Sequence, residues 1–327
     1  MAKILVTGGL GFIGHNVVAL LEAQGHDVAI IDNITTYGII DRRELDILLK
    51  ERSQRIRTKR IYYCDITSPD VSKIFAAVNP DIVIHLASFP RQKVVNSNPM
   101  LGSRAMSEGL LNLLEASVRN QVHKFVYVSS SMVYGNFNSE HTFDGIDEAA
   151  DCKPQGQYGV MKLAGEWLVQ DYQRRCNLNY TILRPSAVYG PRDVEDRVVS
   201  KFLLTAMRGG EIQVNGGSET LDFTYIDDSV DGIVSAAVSE YTDNRTYNIA
   251  RSDAKSLKEA AELAIKIAGR GTIRINEADD NFPSRGQLNI VRSRNDFGFQ
   301  PTVNIEQGFE EYYEWLKNSV YGFKKAV

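Results

Sequence analysis

The feature that most constrains the fold is a short apolar segment that runs directly into a glycine-rich turn near the N-terminus. Lys3–Thr7 reads as a strand, Gly8, Gly11 and Gly14 follow as Gly-x-x-Gly-x-x-Gly, and an apolar helical pattern begins at once. Such glycines make a tight turn and let a pyrophosphate approach bare amides at a helix N-terminus, where the helix dipole favours anions. The sequence therefore predicts a dinucleotide-binding strand, turn and helix.

An acidic residue supports this prediction and selects the cofactor. The next predicted strand, Asp27–Ile31, ends in Asp32, about twenty residues beyond the turn, where a carboxylate can bind the adenosine ribose hydroxyls. The same carboxylate would repel a 2'-phosphate, and Asn33 offers no compensating cation. We therefore expect NAD rather than NADP.

The order of the predicted elements indicates an α/β fold with a doubly wound parallel (Rossmann) sheet, because strands alternate with helices. Further strands are predicted at 60–64, 81–85, 124–128 and 179–183, and helices near 70–78, 99–120 and from residue 158 onward. Ligands of such sheets sit at the C-terminal ends of the strands, where Ser88, Ser129–Ser131 and Tyr158 would converge. The alternation fades near residue 193, which predicts an NAD-binding domain over 1–192, with 222–250 returning to it, and a smaller mixed α/β substrate lobe over 193–327.

The candidate chemistry centres on Tyr158 and Lys162. On a helix, residues four apart share one face, so the phenol and the ammonium would project together. A nearby cation favours the phenolate and lowers the tyrosine pKa from its usual value near ~10, which would make Tyr158 a usable base. The alternative is a surface helix that carries an unrelated tyrosine and lysine.

Composition excludes several other classes. The chain has 327 residues, is 24% charged and carries a net charge of −4, so a general attraction to nucleic acid or to an anionic membrane is not expected. No apolar run approaches the roughly 20 residues that span a bilayer. The N-terminus lacks the regions of a signal peptide, and the three cysteines lack metal-ligand spacing. We expect a cytoplasmic protein with reduced thiols and no metal site.

The segment 41–60 is rich in charge and has two interpretations. Its arginines and lysines could form a basic patch for a partner or a polyanion, whereas its interleaved acids favour a solvated crossover with a helix on Leu45, Leu48 and Leu49. We expect the solvated crossover.

Taken together, these motifs resemble the extended short-chain dehydrogenase/reductase family, specifically its NAD-dependent sugar-nucleotide epimerases and dehydratases, and most closely the UDP-glucose/UDP-galactose 4-epimerase-like members. The matching motifs stand in family order at 7–14, 85–87, 129–135, 158–162, 184–185 and 222–228. The resemblance implies a nucleotide-sugar substrate, a cytoplasmic enzyme and a homodimer that packs through the long helix before Ser129 and the Tyr158 helix.

The resemblance also assigns roles to residues. It makes Tyr158 the acid/base, Lys162 the lysine that binds the nicotinamide ribose and lowers the tyrosine pKa, and Ser130 the hydroxyl that holds the reacting substrate oxygen. Without the neighbouring motifs, the three serines would be only a polar strand end. The cofactor-binding residues that it implies are Gly8, Gly11, Phe12, Ile13, Gly14, Asp32, Asn33, Asp65, Ile66, Leu86, Ala87, Ser88, Tyr158, Lys162 and Pro185. The substrate-binding residues are Arg91, Ser130, Ser131, Met132, Tyr158, Arg192 and Arg285.

The substrate end departs from the family pattern. Family members usually have Asn at the position of Ala187, Arg at that of Leu221, and Asn at that of Met106. Arg91 and Lys93 could replace the missing contacts or could be ordinary loop cations. The departures leave the nucleotide carrier and the sugar open.

The residues after the triad hydroxyl bear on the reaction type. The family's 4,6-dehydratases usually place Asp-Glu there, whereas this chain has Ser131 and Met132, and a thioether cannot exchange a catalytic proton. A 4-epimerase through a 4-keto intermediate is therefore the favoured hypothesis. The alternatives are a dehydratase or single-carbon oxidoreductase of the same fold, and a non-catalytic NAD-sensing regulator, which would need no proton relay.

Overall fold

A computed structural model describes residues 1–35, 38, 40–89, 92–137, 144–194, 197–279 and 283–322, with 92 and 93 described by their backbone alone. The strands are β1 (Lys3–Thr7), β2 (Asp27–Asp32), β3 (Ile61–Tyr63), β4 (Ile82–His85), β5 (Lys124–Val128), β6 (Asn179–Pro185), β7 (Val188–Tyr189), β8 (Glu211–Asn215), β9 (Thr220–Leu221), β10 (Thr224–Tyr225), β11 (Arg245–Ile249), β12 (Lys255–Ser256) and β13 (Thr272–Asn276).

The α-helices are α1 (Phe12–Ala23), α2 (Arg42–Ser53), α3 (Val71–Val78), α4 (Gln92–Ser97), α5 (Pro99–Ser103), α6 (Gly109–Arg119), α7 (Gly156–Cys176), α8 (Val198–Met207), α9 (Ile226–Val238), α10 (Leu257–Ala268), α11 (Val291–Phe297) and α12 (Ile305–Asn318). A π-helical turn spans Arg104–Glu108, and 3₁₀ turns span Ser131–Tyr134 and Glu240–Thr242.

The main sheet has seven parallel strands in the order β11-β6-β5-β4-β1-β2-β3, which confirms the predicted fold class. Every residue of β4 and β5 is buried, as expected for central parallel strands that are covered by helices on both faces. The order reverses between β1 and β4, so β1, β4 and their following turns meet at the point where such sheets bind ligands.

Helix α7 lies unusually close to the sheet. A Cβ at Gly165 would overlap the hydroxyl of buried Tyr127 on β5, so the glycine is what permits this approach. The helix carries Tyr158 in its first turn and Lys162 one turn later. Close packing of α7 on β5 therefore sets the height of both side chains at the edge of the sheet.

The remaining strands form three small two-stranded pairs, β8 with β13, β9 with β12 and β7 with β10. Asp222, which is fully buried between β9 and β10, ties these pieces together. Its carboxylate accepts hydrogen bonds from the amides of Ser252 and Leu288, and burial raises its pKa to about 6.

Two expectations about the elements need correction. The helix predicted over 99–120 is divided into α5, the π-helical turn and α6, because the turn accommodates one extra residue around Met106. The segment 41–60 is not simply solvated, because Arg52 on α2 is buried. No helix in the described ranges has both the length and the apolar character required to cross a bilayer.

Candidate active site

The glycine turn after β1 forms a cradle that only glycine can make. Gly8 has φ +72°, and a Cβ there would lie 2.7 Å from the amide nitrogen of Ala87, while a Cβ at Gly14 would overlap the carbonyl oxygen of Gly8. Among the described residues, no side chain caps the N-terminus of α1, whose N-cap is Gly11. The first amides of α1 thus remain available to an anion, which suits the pyrophosphate of a dinucleotide.

The end of β4 is fastened to this turn. The Thr7 hydroxyl lies 2.7 Å from Nδ1 of His85 and accepts a hydrogen bond from the amide of Ala87, and the amide of Leu86 donates to the carbonyl of Thr7. Burial, with a smaller effect of Lys162, lowers the pKa of His85 to about 3, so this histidine is neutral. Leu86, Ala87 and Ser88, which are predicted to bind the cofactor, therefore lie beside the glycine turn.

Asp32 stands at the end of β2 with both carboxylate oxygens held. The amides of Leu10 and Ile34 donate to them at 2.9 and 2.8 Å. Burial raises the pKa of Asp32, while these amides and Arg52 oppose the shift. The side-chain Nδ2 of Asn33 donates to the carboxylate of Asp65 at 2.7 Å. This hydrogen bond links two of the residues that are predicted to contact the adenosine.

Ser130 is held by the turn that follows it. Its Oγ accepts a hydrogen bond from the amide of Met132 at 3.2 Å and caps the 3₁₀ turn Ser131–Tyr134. Because the oxygen already accepts from the backbone, its own proton is free to be donated to a neighbouring oxygen. This is the orientation that a hydroxyl needs to stabilise a developing substrate oxyanion.

Tyr158 is half-buried and faces Ser130. Burial raises the pKa of its phenol, and Arg197, the Ser130 hydroxyl and Arg285 act in the opposite direction. The positive charges that oppose this shift belong to the two arginines, and the lowering of the tyrosine pKa by Lys162 stays a prediction. The Lys162 ammonium lies 5.9 Å from the centre of the Tyr158 ring.

Lys162 is buried and anchored to the sheet. Its Nζ donates to the carbonyl of Val128 at 2.8 Å, and burial lowers its pKa to about 7, against an upward effect of Glu166. This lysine can therefore change its charge near neutral pH.

Glu166, one turn after Lys162, belongs to a buried network that the sequence analysis did not include. Its carboxylate accepts two hydrogen bonds from Arg184, at 3.0 and 2.6 Å, and one from the Ser129 hydroxyl at 2.5 Å. The guanidinium of Arg184 also covers the ring of Tyr134. The network fixes Ser129, and so the start of the segment that bears Ser130. The i+4 spacing of Glu166 from Lys162 was a usable signal for it.

Apolar side chains close the site behind Tyr158. Phe89, Val95, Ala105 and Met106 form a buried cluster against which the tyrosine packs. Met106 comes from the π-helical turn, a feature that is frequent at functional sites. Met132 is also buried, and the Ser131 hydroxyl lies 3.3 Å from that of buried Ser186.

The structure sorts the predicted substrate arginines. Arg285 is half-buried at the mouth of the site, and its Nε has no hydrogen-bond partner among the described residues. Arg197, which the sequence analysis missed, stands at the N-cap of α8 and acts on Tyr158 as Arg285 does. Arg192 does not join them, because it lines a different cavity with Arg55. Arg91 lies outside the described residues.

Two of the three departures from the family pattern, Ala187 and Leu221, lie in environments that the structure describes. Ala187 has φ +36°, a left-handed conformation that asparagine tolerates better than alanine does. Leu221 packs against the main hydrophobic core beside β12. Neither supplies a polar group to the site, so the cations there are Arg197 and Arg285 as far as the described residues show.

Comparison with known proteins agrees with the fold. A family model described as the NAD dependent epimerase/dehydratase family matches residues 4–250. A protein of Bacillus subtilis (strain 168) named as an uncharacterized UDP-glucose epimerase is 28% identical over 326 residues, with 98% of this chain and 99% of the relative covered. A UDP-N-acetyl-alpha-D-glucosaminuronate decarboxylase of Bacillus cytotoxicus is 27% identical over 331 residues, with 96% and 98% covered. The crystal structure of UDP-glucuronic acid 4-epimerase from Bacillus cereus, in complex with UDP-glucuronic acid and NAD, matches with a TM-score of 0.87 and 28% identity over 96% of this chain and 99% of that one.

Proposed function

We propose that this chain, which belongs to the NAD dependent epimerase/dehydratase family, inverts a nucleotide-activated sugar at C4 through a transient 4-keto sugar. Enzymes of this family use NAD on nucleotide sugars, and the cradle of the glycine turn fits that cofactor. The observation that carries the choice of reaction is the Ser130–Tyr158 pair with a thioether, Met132, where an eliminating enzyme needs an acid.

The cofactor would be held by groups that are already in place. The amides of Phe12 and Ile13 suit the pyrophosphate, Asp32 the adenosine ribose, and Lys162 the second ribose. Gly8, Gly11 and Gly14 make room for the pyrophosphate, and the remaining contacts are expected from Asn33, Asp65, Ile66, Leu86, Ala87, Ser88 and Pro185. NAD, when bound, accepts a hydride from the sugar carbon and returns it.

The protein's own part is proton handling at the substrate oxygen. Tyr158, in its phenolate form, takes the proton of the sugar hydroxyl, while Ser130 keeps its own proton and donates a hydrogen bond to the same oxygen as the carbonyl forms. When the hydrogen returns to the other face of the sugar, Tyr158 gives the proton back. Both residues lie on rigid elements, the α7 helix and the capped turn after β5, so their separation is fixed.

Elimination of water lacks its expected group. It would need an acid at the position of Met132, whose side chain carries no exchangeable proton, and the neighbouring Ser131 hydroxyl is directed at Ser186. The nearby carboxylate of Glu166 is buried and fully engaged by Arg184 and Ser129. These observations favour epimerisation over dehydration.

The substrate's phosphates are assigned to the two arginines at the mouth. Arg285 and Arg197 place positive charge near Tyr158. The Nε of Arg285 is a hydrogen-bond donor that has no acceptor among the described residues. Ser131 and Met132 would line the sugar. This arrangement supports a nucleoside diphosphate sugar as the substrate and does not identify its nucleobase.

We also propose a homodimer through α6 and α7. Both helices expose large apolar side chains: Leu111 on α6 is 38% exposed, and Val160 and Trp167 on α7 are 50% and 62% exposed. Such a patch on a chain of this size is better explained by a partner than by solvent.

The reaction type is tested in deuterium oxide with the nucleotide sugar that turns over. Because the carbon-bound hydrogen removed at C4 is returned without exchange with water, the product should contain no deuterium at C3, C4, C5 or C6 by NMR. Deuterium at C5 or C6 would indicate enolisation or elimination, and at C3 an enolising epimerase. Either finding would overturn the 4-epimerase proposal while leaving the family assignment intact.

A further inference from the structure

A cavity of about 380 Å³ lies apart from Tyr158, where the end of α2, the turn after β7 and the end of α12 meet. Its lining residues are Glu51, Gln54, Arg55, Arg192, Trp315, Asn318, Ser319 and Val320. Two guanidinium groups, an indole and several amide or hydroxyl groups therefore face one space. Neither the proton relay nor the proposed cofactor contacts use any of these residues. Arg192 was predicted to bind substrate, but it lines this cavity and not the site around Tyr158.

Arg192 is held in an unfavourable state within this cavity. Its backbone is left-handed, with φ +72°, which is costly for a residue with a long side chain. Its Nε is buried and has no hydrogen-bond partner among the described residues. A buried charged donor without an acceptor costs free energy, which a bound anion would recover.

Arg52 fixes this geometry from below. Its Nε and Nη2 donate to the carbonyl of Arg192 at 3.3 and 2.7 Å, and its Nη1 donates to the carbonyl of Leu10 at 3.3 Å. Arg52 is buried, so these bonds form a rigid link. The link joins the cavity to the glycine turn.

Three arginines are gathered at this place. Burial, together with Arg52, Arg192 and Arg55, lowers the pKa of nearby His15 to about 3. Acidic residues offset this charge: Glu51 accepts a hydrogen bond from the indole of Trp315 at 3.0 Å, and Asp227 and Asp193 act on Arg55 and Arg52, respectively. The buried Nε of Arg192 nevertheless has no acceptor among the described residues.

We propose that this cavity binds a phosphate-bearing anion, with Arg55 and Arg192 as its ligands and Trp315 beside it. Guanidinium groups present several donors in a plane and suit the oxygens of a phosphate better than a single-point anion. The cavity is larger than one phosphate group, and the side-chain amides of Gln54 and Asn318 could contact the remainder of an organic phosphate. Through Arg52, an occupant would be connected to the cofactor turn.

The chain offers a direct optical test, because Trp315 lines the cavity and the only other tryptophan, Trp167, is exposed on α7. In a Trp167→Phe background saturated with NAD, titration with inorganic phosphate should change the fluorescence of Trp315 saturably. An equal ionic strength of chloride should not. Arg55→Gln, at an exposed position that folding tolerates, should weaken the phosphate response by roughly tenfold, the loss of one charge-assisted hydrogen bond. Arg192→Gln should do the same.

Arg285→Gln is the matched control, because it removes a cation of the same kind from the substrate end and should leave the Trp315 response unchanged. A response that is absent, that chloride reproduces, or that survives both Arg55→Gln and Arg192→Gln would overturn the proposal. Since the readout is binding and not turnover, none of these outcomes depends on which reaction the enzyme catalyses.

Discussion

At the scale of single residues, burial controls the ionisable groups of the candidate site. It raises the pKa of Tyr158 and lowers those of Lys162 and His85, and in each case the nearest charges modify this effect without reversing it. Burial of each group therefore favours its neutral form in the absence of other ligands.

Tyr158→Phe should abolish turnover and leave the binding of NAD largely intact. The phenol is the group placed to move the substrate proton, and loss of such a group costs roughly 10²–10⁴-fold in rate. Steady-state assays with the active nucleotide sugar and calorimetric titration of NAD would measure both effects. Near-normal activity in the variant would show that Tyr158 is not the acid/base.

Lys162 gives a prediction about pH. Its pKa is about 7 in the folded protein and near ~10.4 in the unfolded chain. The unfolded chain therefore binds more protons between these values, so the contribution of Lys162 to the free energy of unfolding should rise from pH 7 to pH 10 and be constant below pH 6. Urea unfolding of the parent and of Lys162→Met, without added nucleotide, should show a difference that increases with pH in the parent's favour. A difference that does not vary over this range would contradict the buried, depressed lysine.

At the scale of elements, the site depends on how closely α7 approaches β5. The glycine at position 165 allows the helix to rest on Tyr127, and the same helix bears the base, the lysine and Glu166. The network of Glu166 with Arg184 and Ser129 then binds this helix to the turn with Ser130. The position of α7 on the sheet therefore determines where Tyr158 lies relative to Ser130.

Gly165→Ala should therefore reduce both stability and turnover. The added methyl overlaps the Tyr127 hydroxyl, and overpacking of this kind costs about 1–3 kcal/mol, against a gain of about 1 kcal/mol in helix propensity. Displacement of α7 would move Tyr158 away from Ser130. Urea unfolding and steady-state kinetics test this, with Gln170→Ala, exposed on the same helix, as the control. A fully active variant of unchanged stability would show that α7 can shift freely.

At the scale of the whole molecule, the exposed face of α6 and α7 is the surface through which we propose that two copies associate. Because α7 also carries Tyr158, a second copy bound there would support the helix that holds the base. Leu111, Val160 and Trp167 would provide the apolar contact of the proposed dimer, as large exposed side chains on adjacent helices.

Trp167→Glu together with Val160→Glu should convert a dimer to monomers, because buried unpaired carboxylates are costly. Size-exclusion chromatography with light scattering would measure the mass. Tyr241→Glu, a substitution at a residue 79% exposed elsewhere on the surface, serves as the control and should leave the mass unchanged. A parent protein that is monomeric at micromolar concentration would already refute the interface.

Local sequence determined the parts of this protein that depend on backbone geometry. The glycine turn, Asp32 after β2 and the Tyr158–Lys162 spacing follow from steric limits and helix periodicity, which act over a few residues, and so they were predictable along with the parallel sheet. Tertiary structure alone decided which charges meet. Arg197 faces Tyr158, Arg192 turns toward Arg55 and away from the site, and Arg52 is buried under the glycine turn because distant segments pack there. The direction of each pKa shift likewise depends on burial, which no local pattern of residues specifies, since it is a property of everything that surrounds a group in space.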